Sequence, residues 1–323
     1  MKGIKIEGKG YDENNNIIFI LEKNGKLKEY YKNGNIKFSG EFFNGRRWNG
    51  NFYNNNGIFE FEIKKGKGKG KEYNYDGISS YEGEFLNGER TGKGKEYYYD
   101  KLVFEGEYAN GERNGKGKEY YYDGKIKFEG EYINGNKIGR GKEYHYNGRL
   151  NFEGEYFDDE KNGKGKEYDI NSKLVFDGEY LNGKKWKGKV KETYYDDLNN
   201  LIEYEGEYLN GKRYGNSKEY HYGKVVFEGE YLNGQINGKG KEYDYDGKLI
   251  FEGEYLNGEK NGKGREYDIG GKLIFEGEYL KGEKNGKGKE YDFYGNLIFK
   301  GEYINGEKKL FFNISGIING KKE

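Results

Sequence analysis

Lys248 to Gly271 reads Lys-Leu-Ile-Phe-Glu-Gly-Glu-Tyr-Leu-Asn-Gly-Glu-Lys-Asn-Gly-Lys-Gly-Arg-Glu-Tyr-Asp-Ile-Gly-Gly. Two strand-like runs flank Asn257-Gly258, the strongest short signal for a two-residue type I′ hairpin, because both turn residues need positive φ. Asp246-Gly247 gives the same signal on the other side. No segment shows a 3.6-residue apolar period, so no helices are expected. Two-residue turns fix the strand register. Around Asn257-Gly258 they place Gly253 opposite Gly262, Phe251 opposite Gly264, Glu252 opposite Lys263 and Ile250 opposite Arg265. Around Asp246-Gly247 they place Glu252 opposite Lys241 and Ile250 opposite Tyr243.

Side chains alternate between faces along a strand. One face then carries Leu249, Phe251, Gly253 and Tyr255, with Gly262 and Gly264 from the next strand. The other carries Ile250, Glu252 and Glu254 with Lys239, Lys241, Lys263, Tyr243 and Tyr267. Each such cross-strand charge pair contributes roughly 0.2–1 kcal/mol. The glycines leave bare backbone over which an aromatic ring can lie. Phe251, Gly253, Tyr255, Gly258, Gly262 and Gly264 are therefore read as the structural residues of the unit.

The phrase Phe/Tyr-Glu-Gly-Glu-Tyr/Phe returns at Tyr81–Phe85, Phe104–Tyr108, Phe128–Tyr132, Phe152–Tyr156, Tyr204–Tyr208, Phe227–Tyr231, Phe251–Tyr255 and Phe275–Tyr279. Near copies stand at Phe38–Phe42, Phe176–Tyr180 and Phe299–Tyr303. From Gly83 to Gly301 the central glycines recur every 23 or 24 residues, with one interval of 28. A fixed period of this size marks a repeat array, in which units contact mainly their neighbours. The expected fold is all-β: an elongated, twisted, single-layer antiparallel meander of about thirteen β-hairpin repeats, roughly 120 Å long at about 4.8 Å per strand. Residues 1–16 read as an N-terminal cap, 17–312 as the continuous array and 313–323 as a C-terminal cap; Leu310-Phe311-Phe312 replaces the Gly-Lys-Gly pattern there.

A mean hydropathy of -1.21 points toward disorder, but 36 Tyr and 20 Phe supply strand formers and large buried areas. Lys+Arg and Asp+Glu both number 57, so the chain lacks the basic excess that nucleic acid needs. Cysteine is absent, which removes disulfides, thiolate metal sites and a cysteine nucleophile. Met1 to Gly10 holds no apolar run of the kind a secretory signal needs, and the longest apolar stretch, Ile17 to Leu21, is far short of a membrane span. A cytoplasmic location is expected, with peripheral membrane association left open.

Tyr81-Glu82-Gly83-Glu84-Phe85-Leu86-Asn87-Gly88-Glu89-Arg90-Thr91-Gly92-Lys93-Gly94 resembles the MORN repeat (membrane occupation and recognition nexus). Lys28-Glu29-Tyr30-Tyr31-Lys32-Asn33-Gly34 is similar to the variant repeat of antitoxin-like proteins of the YwqK type. The resemblance covers most of the chain. It departs from the commonest pattern in the rarity of tryptophan and in the Lys-Glu-Tyr of the second strand. It implies an elongated β-sheet used as a scaffold or dimerisation platform, with membrane or phosphoinositide association in some relatives.

No residue set singles out a reaction. His145 and His221 occupy one slot, Lys-Glu-Tyr-His-Tyr, where other repeats place Tyr121, Asp169, Asp244 or Asp292, so the slot reads as a solvent position. Carboxylate pairs such as Glu252 and Glu254 exist in every unit. The Gly-x-Gly pairs precede no helix and no Gly-Lys-Ser/Thr, so they are not phosphate loops. No catalytic residue, metal ligand or cofactor site is expected, and no small-molecule substrate. The irregular units carry the candidate partner-binding residues. Gly45-Arg46-Arg47-Trp48-Asn49-Gly50 and Gly183-Lys184-Lys185-Trp186-Lys187-Gly188 read as matching lengthened turns that set an indole beside two cations. Trp48, Arg46, Arg47, Trp186, Lys184 and Lys185 are of the types that anchor interfaces. Asp196 and Asp197 lie in the insertion of the 28-residue unit, and loops carry function more often than strands.

The leading expectation is a non-enzymatic interaction scaffold for protein–protein contacts or self-assembly. The alternatives are an adaptor for anionic phospholipid, to which Lys64, Lys65, Lys67, Lys69 and Lys71 could contribute, and an antitoxin-like inhibitor that sequesters a partner protein.

Overall fold

Strand follows strand, without a helix, through the described residues 7–22, 25–195 and 200–309 of the computed structural model. The chain divides into two units, Met1–Leu174 with Tyr180–Gly183, and Val175–Glu179 with Lys184–Glu323. The first unit opens with a six-stranded antiparallel sheet running from Gly8–Tyr11 to Phe59–Ile63. A Lys64–Lys67 bridge around the Lys65-Gly66 turn leads to Gly68–Tyr73, where a longer meander begins. The second unit is a meander from Lys184–Tyr195 to Glu307–Lys308. In both units the ladders join strands consecutive in sequence, as the all-β hairpin reading requires. Gly8–Tyr11 pairs with Ile17–Leu21, so strand pairing begins inside the span expected as the N-terminal cap. The expected C-terminal cap, with Leu310-Phe311-Phe312, lies outside the described residues.

The Asn-Gly turn forms as its chemistry demands: Asn257 and Gly258 have φ of 51° and 88°. Its glycine N–H is not left to solvent. Gly258 donates to the Ile236 carbonyl at 2.8 Å, Gly282 to Lys260 at 2.9 Å and Gly306 to Lys284 at 2.9 Å. Each turn is thus tied to the second strand of the preceding hairpin, a bond worth about 0.5–1.5 kcal/mol net.

Two register expectations are corrected. Asp246-Gly247 is not a two-residue turn. The Asp244 N–H bonds to the Lys248 carbonyl, and Gly247 back to Asp244, closing a three-residue loop. The Asp244 carboxylate takes the N–H groups of Asp246 and Lys248 at 2.9 and 2.8 Å, and this side-chain capture selects the longer loop. A three-residue loop would turn Phe251 outward, but a one-residue bulge at Ile250 restores the phase. Tyr243 accordingly faces Leu249, not Ile250, while Glu252 faces Lys241 as expected.

Beyond Asn257-Gly258 the two-residue register holds only for Leu256–Glu259 and Tyr255–Lys260; it then slips by two. Gly253 faces Gly264, not Gly262; Phe251 faces Glu266, not Gly264; and Glu252 faces Arg265, not Lys263. The extra residues form a bulge around Gly262, whose φ is +100°. Glu254 fills it, its Oε2 accepting the Lys263 N–H at 3.0 Å. Glu107, Glu155 and Glu278 do the same in their own repeats. The second glutamate of the phrase therefore holds a backbone bulge, which sequence alternation had put simply on a charged face.

The aromatic face is the core. Phe251 and Tyr255 are buried, and the Phe251 ring lies over the Gly253–Gly264 pair. Rings meet edge to face in single file: Phe227–Tyr255 at 5.8 Å, Tyr255–Phe251 at 5.7 Å, Phe251–Tyr279 at 5.4 Å and Tyr279–Phe275 at 5.5 Å. Such pairs add about 0.5–1.5 kcal/mol each beyond the area they bury.

Candidate functional site

The glutamate of the Lys-Glu-Tyr run, Arg-Glu-Tyr at Glu266, stands on the aromatic face. Glu242 faces Phe251 across the ladder. Its carboxylate accepts the Tyr255 hydroxyl at 2.7 Å and pairs with Lys260 at 2.9 Å. The Lys260 ammonium in turn sits 3.8 Å from the Phe251 ring centroid. Lys284 repeats this with Glu266 and Phe275, Lys161 with Glu143 and Phe152, and Lys137 with Glu119 and Phe128. Arg113 and Arg213 fill the same place over Phe104 and Tyr204. A line of cation, ring, carboxylate and tyrosine hydroxyl thus accompanies the glycines. A cation over a ring contributes about 0.5–2 kcal/mol as desolvation increases. Ile236 interrupts the column; there Glu219 is met by Arg213 at 3.1 Å and by the hydroxyls of Tyr194 and Tyr231 at 3.0 and 2.8 Å.

In the first unit this line tightens into a knot. Glu72, only 8% exposed, meets Arg47 at 2.7 Å, Lys37 at 3.5 Å and Arg90 at 3.9 Å. Arg47 also grips Glu29 with two nitrogens. Burial alone would raise the Glu72 pKa; Arg47, Lys37 and Arg90 more than offset it and hold the carboxyl below its ordinary range. Burial also pushes Lys37 down.

The buried tyrosines carry a pH signature. Burial first, then the neighbouring carboxylates, push the hydroxyls of Tyr108, Tyr132, Tyr231 and Tyr255 far above the ordinary tyrosine value, and that of Tyr81 up to about 12. A group with a raised folded pKa contributes its stability in full below the unfolded value, about 10, and loses it as pH rises. The array is expected to hold its circular dichroism unchanged to about pH 10 and then unfold cooperatively as tyrosinate absorbance appears. Tyrosinate absorbance rising fully before any loss of strand signal would contradict this placement.

Arg47 and Lys185, read from the sequence as partner-binding, belong to this inward line; Lys185 lies 5.5 Å from the Phe176 ring centroid. The turns beside them are not lengthened. Asn44-Gly45 and Asn182-Gly183 are ordinary two-residue turns, and Gly45 to Gly50 is one residue shorter than Gly258 to Gly264. Trp48 takes a one-residue bulge in place of the wider one, its ring 5.2 Å from Phe43. The Trp48 and Trp186 carbonyls accept the next turn glycines, Gly66 and Gly211, at 2.7 and 2.9 Å. Arg46, Lys184 and Trp186 remain exposed, Arg46 paired with Glu89 at 2.8 Å. Asp196 and Asp197 lie outside the described residues.

The histidine slot is not a bare solvent position. Asp244 and Asp292 use it to fold their own loops, whereas Tyr121 and His145 reach the Tyr144 and Tyr168 carbonyls of the following repeat at 2.6 and 3.0 Å. His221 is buried, its ring 4.4 Å from that of Tyr222 and 5.2 Å from that of Tyr245. The first glutamate of the phrase is engaged as well: Glu228 and Glu252 accept the hydroxyls of Tyr243 and Tyr267, each at 2.7 Å.

Two rows of large apolar residues stay exposed, and the sequence reading missed both. One residue precedes each two-residue turn, which is Asn-Gly except at Asp158-Asp159 and Lys281-Gly282: Leu86, Ile133 and Phe157 in the first unit, and Leu232, Leu256, Leu280 and Ile304 in the second. The other row sits at the tips of the opposite loops, including Tyr122 and Tyr146 in the first unit and Tyr222, Tyr245, Ile269 and Phe293 in the second. Both columns recur once per repeat in the sequence, which was the available signal.

A family model described as "MORN repeat" matches residues 81–103, 104–126, 152–172, 204–216, 227–248, 251–272 and 275–292. No curated protein matches the chain. Among solved structures, "Crystal Structure of TcdB2-TccC3" aligns over 91% of this chain and 20% of its own, at 12% identity and a TM-score of 0.18. "Crystal Structure of TcdB2-TccC3-TEV" gives the same identity and score over 19% of its chain. The chain spans about a fifth of the length of those structures, and superpositions this loose carry no argument about it.

Proposed function

Because the chain is a MORN-repeat protein, we propose that it works as a non-enzymatic scaffold whose exposed apolar rows hold protein partners. One observation carries this reading: Leu232, Leu256, Leu280 and Ile304 are held exposed at one place in successive hairpins. Rigid, evenly spaced anchors suit a multivalent contact, in which each further site raises the effective concentration of the next. Glu252, Glu254 and Glu242 serve a tyrosine hydroxyl, a bulge N–H group and an inward cation respectively, which commits them to holding the hairpins rather than to acid–base work.

The lysine cluster gives less support to an anionic lipid. Lys64 pairs with Glu62 at 2.9 Å, Lys69 with Glu84 at 3.9 Å and Lys71 with Asp100 at 3.4 Å, so much of its field is cancelled locally. Among the described residues no helix is long and apolar enough to cross a membrane. Sequestration of one partner protein is a special case of the scaffold and would appear as a complex of fixed stoichiometry.

The test is affinity capture with the wild type and with a Leu232→Ser/Leu256→Ser/Leu280→Ser variant. The reading expects one protein retained by the wild type and lost by the variant. A wild-type chain that retains nothing and stays monomeric contradicts it.

A further inference from the structure

Phe59-Glu60-Phe61-Glu62-Ile63 is a further variant of the repeat phrase, with a phenylalanine in the slot that glycine holds elsewhere. The sheet breaks there. Among the described residues Phe59–Ile63 and the following Gly68–Tyr73 share no ladder, only the Lys64–Lys67 bridge at their turn, and the six-stranded sheet ends at this seam. A side chain in the glycine slot has no room between paired strands. A Cβ on Gly70 would stand 2.3 Å from the Phe61 ring, and one on Gly68 2.9 Å from the Glu62 carbonyl oxygen. Phe61 stacks on Phe52 at 4.4 Å and on Phe85 at 5.2 Å, where the rings of other repeats meet edge to face. Polar ties take the place of the ladder. Arg47 and Lys37 reach from the six-stranded sheet to Glu72 on Gly68–Tyr73, at 2.7 and 3.5 Å. Arg46 meets Glu89 at 2.8 Å on the surface. At the loop end the Tyr75 hydroxyl donates to Asp12 at 2.9 Å, and the Tyr75 carbonyl accepts the Lys32 N–H at 3.0 Å.

We propose that this seam is a joint: the six-stranded sheet turns away from the strands that follow it, about the Lys64–Lys67 turn, when Glu72 loses its charge. Glu72 faces Arg47 and Lys37 on one side of the seam and Arg90 on the other. Glu29 and Glu96 stand beyond them, on Arg47 and Arg90. The nearby hydroxyls of Tyr31 and Tyr81 are held neutral by burial, and Glu60 is taken by Asn54 Nδ2 at 3.1 Å. While Glu72 is ionised, one buried carboxylate gathers cations from both sides. Once it is neutral, Arg47 and Lys37 confront Arg90 across the seam in a site that salt screens little, and attraction turns into repulsion. Between Leu249–Leu256 and Glu259–Tyr267 a backbone ladder would absorb such a loss; at the seam no ladder does. Opening parts Phe61 from Phe85 and bares both rings, so the joint converts a change of charge into an apolar surface. The cations hold the Glu72 carboxyl below its ordinary range, so the joint stays shut through that range and opens as pH falls beneath it.

The experiment measures distances between paired spin labels on the full chain, which has no cysteine of its own to compete for the label. Glu13→Cys/Glu112→Cys spans the seam, and Glu112→Cys/Glu160→Cys lies wholly beyond it in the same unit; all three side chains are exposed. Pulsed electron paramagnetic resonance is expected to give one distance for each pair at neutral pH. Adding Glu72→Gln is expected to give the seam pair a second, distinct distance at neutral pH and to leave the control pair unchanged. Acid is expected to do the same to the chain that keeps Glu72, once pH passes below the ordinary carboxylate range. A Glu72→Gln chain whose seam pair keeps the single original distance overturns the proposal. Broadening of both pairs together, in the variant or in acid, also overturns it, because the array then unfolds as one body.

Discussion

Replacing Arg47 with alanine is expected to destabilise the first unit by about 3–5 kcal/mol, the usual cost of leaving a buried charge without its partner. Glu72 and Glu29 would both lose the guanidinium that neutralises them, and the Phe38 and Phe52 rings would lose the cation lying 5.5 and 5.0 Å from their centroids. Urea unfolding followed by hydrogen exchange should place the loss around residues 29–90, since an array transmits damage mainly to neighbouring units. Arg265→Ala, at an exposed pair with Glu252, should leave the midpoint unmoved. The acid response follows the same geometry. Glu72 has a depressed folded pKa, so its stabilisation is complete above the ordinary carboxylate value and is lost as pH falls through the folded one. Glu72→Gln should flatten that acid limb while lowering stability at neutral pH. Equal responses of Arg47→Ala and Arg265→Ala would contradict the knot.

Gly253→Ala is expected to cost about 3 kcal/mol or more, at the upper end for overpacking, because the added methyl has nowhere to move. It would stand 2.6 Å from Phe251 Cζ, 2.8 Å from the Lys263 carbonyl oxygen and 2.9 Å from Gly264 Cα. Two of those contacts are backbone of the paired strand, so relief requires the strands to separate. Gly258→Ala is the comparison: its φ is +88° but nothing lies within 4 Å of the new methyl, so only backbone strain of about 1–2 kcal/mol applies. Thermal unfolding of both variants ranks them. A Gly258→Ala penalty as large as that of Gly253→Ala would mean that turn conformation, not ring packing, governs the hairpin.

The repeat, the strand class, the Asn-Gly turns and the ring-over-glycine core could be read from residues alone, because period and turn chemistry are local properties. What escaped was set by side chains acting on backbone. Asp244 captures two N–H groups and lengthens a loop that Asp246-Gly247 alone would make shorter. Glu254 holds a bulge at Gly262 that shifts the facing strand by two residues. That even shift keeps Phe251, Gly253 and Tyr255 on their expected face, whereas the odd bulge at Ile250 sets Leu249 opposite Tyr243 and so off the aromatic face on which it was expected. The inward cations escaped for a different reason. Lys260 and Arg47 look like solvated charges, and only the pairing with Glu242 or Glu72 and the ring beneath reveals them as core residues. Arg47 was consequently weighed as an interface anchor. The Tyr245 and Leu256 columns were visible as letters, but their exposure depends on the corrected loops.

The central claim is a division of labour: charged residues beneath the sheet hold the hairpins together, and apolar residues at the edges are free to bind. Thermal unfolding of two multiple variants tests it most directly. Lys308 continues the inward line, pairing with Glu290 and lying 5.0 Å from the Phe299 ring centroid; a Lys260→Ala/Lys284→Ala/Lys308→Ala chain should melt well below the wild type, and a Tyr222→Ser/Tyr245→Ser/Ile269→Ser/Phe293→Ser chain should melt with it. The reverse order, an unaffected lysine variant and an unfolded loop-tip variant, would contradict the account.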